Sequence, residues 1–173
     1  MTVSICEPDV TADPLPEARS DDFVDLFTSQ YPKLVGVLRV AGAQRAGAED
    51  IAQEAFARTL GHWRRVRQGA NPAGYVYRVA FRLLGRRGGL PASSLDGVDP
   101  PAGGPSVEDA AVANLDATAA LAAMPPRRRA CAALCWYLGF TSEQAGDILG
   151  IDAATVRTHL DRARRAAAPA GLP

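Results

Sequence analysis

Residues 141–165 read TSEQAGDILGIDAATVRTHLDRARR, and this stretch decides the class of the fold. Thr141 followed three residues later by Gln144 is a capping box that opens a short helix. Leu149, Gly150 and Ile151 make a turn whose glycine tolerates positive φ and whose flanking apolar residues plug a core. Asp152 is a good N-cap for a second helix, on which Val156 and Leu160 face inward. Thr155, Arg157, Thr158, His159, Arg162 and Arg164 face outward, with Arg165 just beyond. Small Ala153 and Ala154 at the start of that helix permit close approach to a duplex. This is the pattern of a helix-turn-helix with a base-reading helix. The plain alternative is two solvated helices. The cap, the glycine and the inward valine at this spacing, with five bases between Arg157 and Arg165 when His159 is counted, favour DNA.

Helical patterns continue outward from this motif, and strand patterns do not. From Ser20, Phe23, Leu26 and Phe27 repeat at helical spacing, and Pro32 is expected to break that helix and start a second piece carrying Leu34, Val35 and Leu38. From Ala48, the residues Ile51, Ala55, Phe56, Thr59, Leu60 and Trp63 form one stripe. Pro72 opens a further helix with Val76, Val79, Ala80 and Leu83 on one side, and Gly88-Gly89 stops it. Helices are also expected over 107–123, 127–138, 142–149 and 153–167. Residues 88–106, GGLPASSLDGVDPPAGGPS, cannot build a core. The expected architecture is all-α: an acidic, disordered segment at 1–19, a helical domain at 20–87, a flexible linker at 88–109, a second helical domain at 110–167 and a tail at 168–173. Each half holds few helices, so part of its apolar surface calls for a partner.

The chain has 173 residues, 47% hydrophobic and 22% charged, which excludes wholesale disorder and a coiled-coil rod. Its formal charge of zero hides unlike blocks: net −6 over residues 1–25, +8 over 26–90, −5 over 91–126 and +3 over 127–173. Of the nineteen bases, eighteen are arginine, the side chain best suited to phosphates and base edges. No apolar run approaches a membrane span, and the first residues lack a basic and apolar leader, so a cytoplasmic protein with no membrane insertion is expected. Cys6, Cys131 and Cys135 are an odd set. Cys131 and Cys135 are expected to be small core residues, with no metal and no cofactor.

Two quoted stretches together resemble a known family. AGAEDIAQEAFARTLGHWRRVR (46–67) followed by NPAGYVYRVAFRLL (71–84) is similar to the second conserved region of bacterial RNA polymerase sigma factors, most of all the small extracytoplasmic-function (ECF) group of the sigma-70 family. ALAAMPPRRRACAAL (120–134) through TVRTHLDRARR (155–165) resembles the fourth conserved region. The resemblance covers about residues 20–87 and 110–167. It departs from the family pattern at Arg82, where Asn is common, and at Gln144, Ala145 and Gly146 in the first helix of the motif. A glycine inside a helix costs about 1 kcal/mol against alanine, so this helix-turn-helix is expected to pack loosely.

The resemblance implies a transcription initiation factor, not an enzyme, that binds core RNA polymerase and directs it to the −10 and −35 promoter elements. Glu49, Asp50, Gln53, Glu54 and Phe56 would bind the polymerase, at the clamp helices of its β′ subunit. The β subunit, promoter DNA and an anti-sigma factor complete the implied partners, with no obligate homo-oligomer. Trp63, Arg64, Arg65, Tyr77, Arg78, Phe81, Arg82, Arg86 and Arg87 interleave rings and guanidinium groups, the chemistry that holds a melted strand at the −10 element. Trp63 and Tyr75 are the rings with the strongest claim to a core role instead. Thr141, Gln144, Thr155, Arg157, Thr158, His159, Arg162, Arg164 and Arg165 would meet the −35 element. A helix-turn-helix regulator that acts without polymerase, and a sigma-like module that only binds a partner, are the other two readings. The regulator should dimerise on a two-fold site, and the chain shows no obvious dimerisation helix.

Overall fold

The computed structural model describes residues 17–90 and 121–167, and no strand occurs among them. The first half consists of α1 (Glu17–Val40), α2 (Arg45–Gly61), the single turn α3 (Trp63–Val66) and α4 (Pro72–Arg86). The second comprises α5 (Pro126–Ala132), a π-helical turn (Ala133–Tyr137), α6 (Ser142–Leu149) and α7 (Ala153–Ala167). The segment before Glu17, the linker beyond Leu90, residues 107–120 of the helix expected over 107–123 and the tail from 168 lie outside the described residues.

Local chemistry accounts for several of the helix ends. Asn71 caps α4, its side-chain oxygen accepting the Gly74 N–H at 2.8 Å, with Pro72 at the first helical position. Two boundaries differ from expectation. α1 begins at Glu17, so Ser20 lies inside the helix and is not its cap. Pro32 does not break α1, which runs unbroken for 24 residues. The exposed proline removes one helical hydrogen bond on the outer side. Leu34, Val37, Leu38 and Ala41, all buried on the inner side, hold the following turns in line.

The two halves form one core. Leu34, Ile51, Phe56, Val76, Tyr77 and Phe81 from the first half join Ala130, Leu134, Ala145, Ile148 and Val156 from the second in a single buried cluster. α4 lies between them, packed on α2 on one side and on α6 on the other. The Tyr77 ring meets Phe140 edge-on, with centroids 5.3 Å apart. Two helical units are present as the sequence reads, but they share apolar surface instead of closing separate cores. Neither has enough helices to bury its own faces. A satellite cluster of Met124, Ala132 and Ala163, with Leu121 and Trp136 against it, seats α7 on α5.

Gly146 overturns the expected looseness of the helix-turn-helix. It is buried, and its carbonyl accepts the Ile151 N–H at 3.0 Å as the chain turns at Gly150, where φ is +70°. A Cβ at Gly146 would fall 2.6 Å from the Ile151 carbonyl oxygen. The glycine is there because the turn passes directly over it, which makes the motif tight. Gly146→Ala should therefore destabilise the fold by about 1–2 kcal/mol, overpacking outweighing the gain of about 1 kcal/mol in helix propensity. A urea unfolding midpoint that falls bears this out; one that rises contradicts the close approach.

Candidate nucleic-acid interface

The acidic face of α2 is built as its spacing suggests. Asp50 and Gln53 are exposed, and Glu49 and Glu54 half-buried, while Ile51, Ala55, Phe56 and Thr59 turn inward. Glu54 is a junction: it pairs with Arg58 one turn on and, at 3.2 Å, with Arg87 at the end of α4. Glu49 pairs with Arg45 at 3.6 Å. Phe56, placed by the sequence on the polymerase-facing surface, is buried in an aromatic cluster with Phe23, Phe27 and Tyr31. It supports the acidic face from below and offers no ring to a partner.

The rings expected to hold a melted strand are also inside. Trp63 is buried, edge-on to Phe23 at 5.2 Å, and Tyr77 and Phe81 belong to the shared core. Tyr77 donates its hydroxyl to Gln30 Oε1 at 3.4 Å, and burial pushes its pKa well above the usual phenol range. Stacking by these three rings gives way to packing, because each was needed to fill a core that few helices enclose. Tyr75 is half-buried. The guanidinium groups remain outside: Arg64, Arg65, Arg82, Arg86 and Arg87 are exposed, and Arg78 is half-exposed and paired with Asp147 of α6 at 3.4 Å.

Beside α3 the structure opens a cavity of about 780 Å³ that the sequence did not announce. Asp22, Asp25, Thr28 and Ser29 of α1 line it with Trp63, Arg67 and Asn71, and Arg67 reaches Asp22 at 3.6 Å. The Asn71-Pro72 dipeptide was the available signal: it marks a capped helix start that leaves a loop, residues 67–71, standing over the α1 side chains.

In the second half the helix-turn-helix is formed, and several of its polar side chains have local work. Thr141 Oγ accepts the Gln144 N–H at 3.2 Å, and Gln144 Oε1 accepts the Thr141 N–H at 3.0 Å. Asp152 accepts both the N–H and the hydroxyl of Thr155 at 2.8 Å. Thr158 donates its hydroxyl to the Ala154 carbonyl at 3.0 Å. Along α7, Arg157, Arg162, Arg164 and Arg165 are exposed and His159 is half-buried, while Val156 and Ala163 face the core. Arg157 pairs with Glu143 of α6 at 3.1 Å, and Arg164 pairs with Asp161 and lies over the Trp136 ring. Cys131 is buried, which pushes its thiol up to about 12, and half-buried Cys135 is raised by the same cause. Both stay protonated as core residues. Among the described residues no group of three or more His, Cys, Asp or Glu could hold a metal, and no helix is long and apolar enough to cross a membrane.

Comparison with known proteins agrees with this arrangement. The model of Sigma-70 region 2 matches residues 26–87, and that of Sigma-70, region 4 matches residues 115–166. The ECF RNA polymerase sigma factor SigE of Mycolicibacterium smegmatis is 30% identical over 166 residues. That alignment takes in 91% of this chain but only 63% of the length of that relative. The sigma factor RpoE of Bartonella quintana, solved in complex with the anti-sigma factor NepR, superposes with a TM-score of 0.61 at 18% identity. The match covers 84% of this chain and 94% of RpoE and speaks for the fold.

The cap of α7 carries a pH dependence. The Thr155 N–H, and then its hydroxyl, hold the Asp152 carboxyl below the usual carboxylate range. A depressed pKa contributes stability above the unfolded-state value, and that contribution is lost as the pH falls through the folded one. Asp152→Asn keeps the capping oxygen and removes the titration. Amide exchange at the start of α7 should therefore accelerate in mild acid in the wild type and stay flatter in the variant. Equal acid profiles would show that the carboxylate is not what holds this end.

Proposed function

Because this chain belongs to the sigma-70 family, in its extracytoplasmic-function group, we propose that it is a transcription initiation factor that carries core RNA polymerase to promoters. The observation that carries the reading is the order of the two matched regions, each with the surface its role needs. Region 2 presents an acidic helix face and a basic one; region 4 presents an arginine-rich second helix in a helix-turn-helix. The factor acts in the cytoplasm by positioning, without catalysing a bond change.

In this scheme α2 docks on the polymerase through Asp50, Gln53 and the outer edges of Glu49 and Glu54. Their carboxylates suit a basic helical partner such as the β′ clamp helices. Arg64, Arg65, Arg82, Arg86 and Arg87 hold the backbone of the −10 element, since guanidinium groups neutralise phosphates whatever the sequence. With Trp63, Tyr77 and Phe81 in the core, capture of an unstacked base falls to the cavity under residues 67–71. There carboxylates, hydroxyls and the Asn71 amide can meet the hydrogen-bonding edge of a base. α7 enters the major groove at the −35 element with Arg157 and His159 near its N-terminus and Arg162, Arg164 and Arg165 further along. Thr141, Gln144, Thr155 and Thr158 shape and cap this motif and reach DNA only as secondary contacts. A second copy of the chain is not required. A regulator of the anti-sigma class, such as the one held by RpoE of Bartonella quintana, would work here by covering the acidic or the basic faces.

The polymerase assignment is tested by reversing charge on α2. Asp50→Arg with Glu54→Arg should abolish capture of core polymerase in a pull-down while far-UV circular dichroism stays helical. Unchanged capture sinks the assignment.

DNA reading by α7 divides along the helix. With the holoenzyme on matched and scrambled −35 elements at several salt concentrations, Arg157→Ala should cost about 1–3 kcal/mol on the matched element and flatten discrimination. Arg165→Ala should weaken both alike and reduce the salt slope by about one. Equal losses on both elements for Arg157→Ala would make it a phosphate contact only, and no effect from either would remove α7 from the interface.

A further inference from the structure

We propose that the cavity where the end of α4 meets α5 and α6 is a binding site for a small apolar carboxylate, a single ring or short chain bearing one acid group. The site itself stands apart from the proposed function; its consequence for DNA rests on the role proposed for Arg82.

The cavity has a volume of about 180 Å³. About 150 Å³ is enough to admit a benzene ring, so a ring with its carboxylate fits. The floor is apolar: Phe81 and Ile148 are each 3% exposed, and half-buried Leu90 stands with them. Water finds few partners against such a floor, and an apolar body gains by replacing it. The charges at the cavity are of one sign. Arg82 of α4 and Arg127 of α5 both line it, and among the described residues no Asp or Glu does. Arg78 and Arg87, on either side of Arg82 in the chain, hold Asp147 and Glu54, whereas exposed Arg82 makes no ion pair among the described residues. An apolar floor under two guanidinium groups fits an apolar body with a carboxylate at the mouth, where charge-assisted hydrogen bonds hold it.

The space is kept open by a residue without a side chain. Gly85 lines the cavity from inside α4, where glycine is a poor helix former, and a Cβ built there meets nothing within 4 Å. A larger residue at this position would strengthen the helix and fill the gap together, so neither helix propensity nor packing accounts for the glycine. Gly146 is the contrast: there a Cβ would strike the Ile151 carbonyl oxygen, and packing alone explains it. The walls also come from both halves of the chain, and joins between structural units are where small-molecule sites are most often built. A ligand carboxylate on Arg82 takes that guanidinium from a DNA phosphate, which makes the ligand an effector that weakens DNA binding.

The test is calorimetric titration of the full chain with benzoate at constant ionic strength, free of DNA and polymerase. Benzoate should bind saturably. Benzyl alcohol, the ring without the charge, and inorganic phosphate, the charge without the ring, should each bind about tenfold more weakly or less. Arg127→Gln should weaken benzoate about tenfold and leave benzyl alcohol unchanged. Gly85→Leu, which sends a side chain into the cavity from a position with room for it, should abolish benzoate binding while far-UV circular dichroism stays helical. No saturable binding to the wild type, or equal binding to Gly85→Leu, overturns the site. Phosphate binding as tightly as benzoate overturns the apolar ligand class. Saturating benzoate should then lower affinity for a short mixed-sequence duplex about threefold in the wild type and not in Gly85→Leu. Binding without that loss overturns the effector role. Arg82→Ala on the same duplex separates the two readings: unchanged affinity there removes Arg82 from the DNA face, whatever the calorimetry shows.

Discussion

Burial of α4 on two sides is the constraint on which the rest depends. A helix of fifteen residues places six of them, Val76, Tyr77, Ala80, Phe81, Leu83 and Leu84, in the core. Such a helix cannot be satisfied by α2 alone, and α6 supplies the second wall. At about 25 cal/mol per Å² of apolar surface removed from water, two aromatic rings on the α6 side bring several kcal/mol to the join. Small all-helical units are short of exactly this kind of surface. Sharing a core is the physical answer, and it places the Arg78 side of α4 against the second half of the chain.

Electrostatics then divides the surface into faces with different tasks. Every ion pair described is at least partly open to solvent, including Arg87 with Glu54, Arg78 with Asp147 and Arg157 with Glu143. Such pairs contribute little to stability and exchange readily for other charges. A polyanion offers arginine many phosphates at once and gains from counterion release, so it can replace single carboxylates that hold only by proximity. Glu54 joins the two faces, pairing with Arg58 on α2 and with Arg87 at the end of α4.

Much of this was legible in the residues. The capping box at Thr141 and Gln144, the Gly150 turn, the Asp152 cap and the inward Val156 all stand where their spacing put them, because these are local rules that tertiary packing has little reason to override. Pro32 misled because the penalty for a helical proline is local, whereas the apolar side of α1 is anchored along its whole length. Gly146 misled because propensity speaks for an isolated helix, and the Ile151 carbonyl overhead is a contact that only the folded turn creates. Trp63, Tyr77 and Phe81 sit beside arginines in a pattern that suits a stacking face and a core face alike. Only the count of helices available to cover them decides, and that count depends on the two halves meeting. The cavity under residues 67–71 was invisible for a similar reason: its walls come from α1 and from a loop some forty residues further along the chain.

The central claim, a factor that gives polymerase its promoters, is tested most directly by run-off transcription with start-site mapping, using core polymerase reconstituted with this chain on fragments of its genome. The account requires discrete start sites that core enzyme alone does not produce, each preceded by two shared sequence elements at a fixed separation. A transcript pattern identical to that of core alone, with the chain instead binding a two-fold site as a dimer, would contradict it and identify a regulator that works without polymerase.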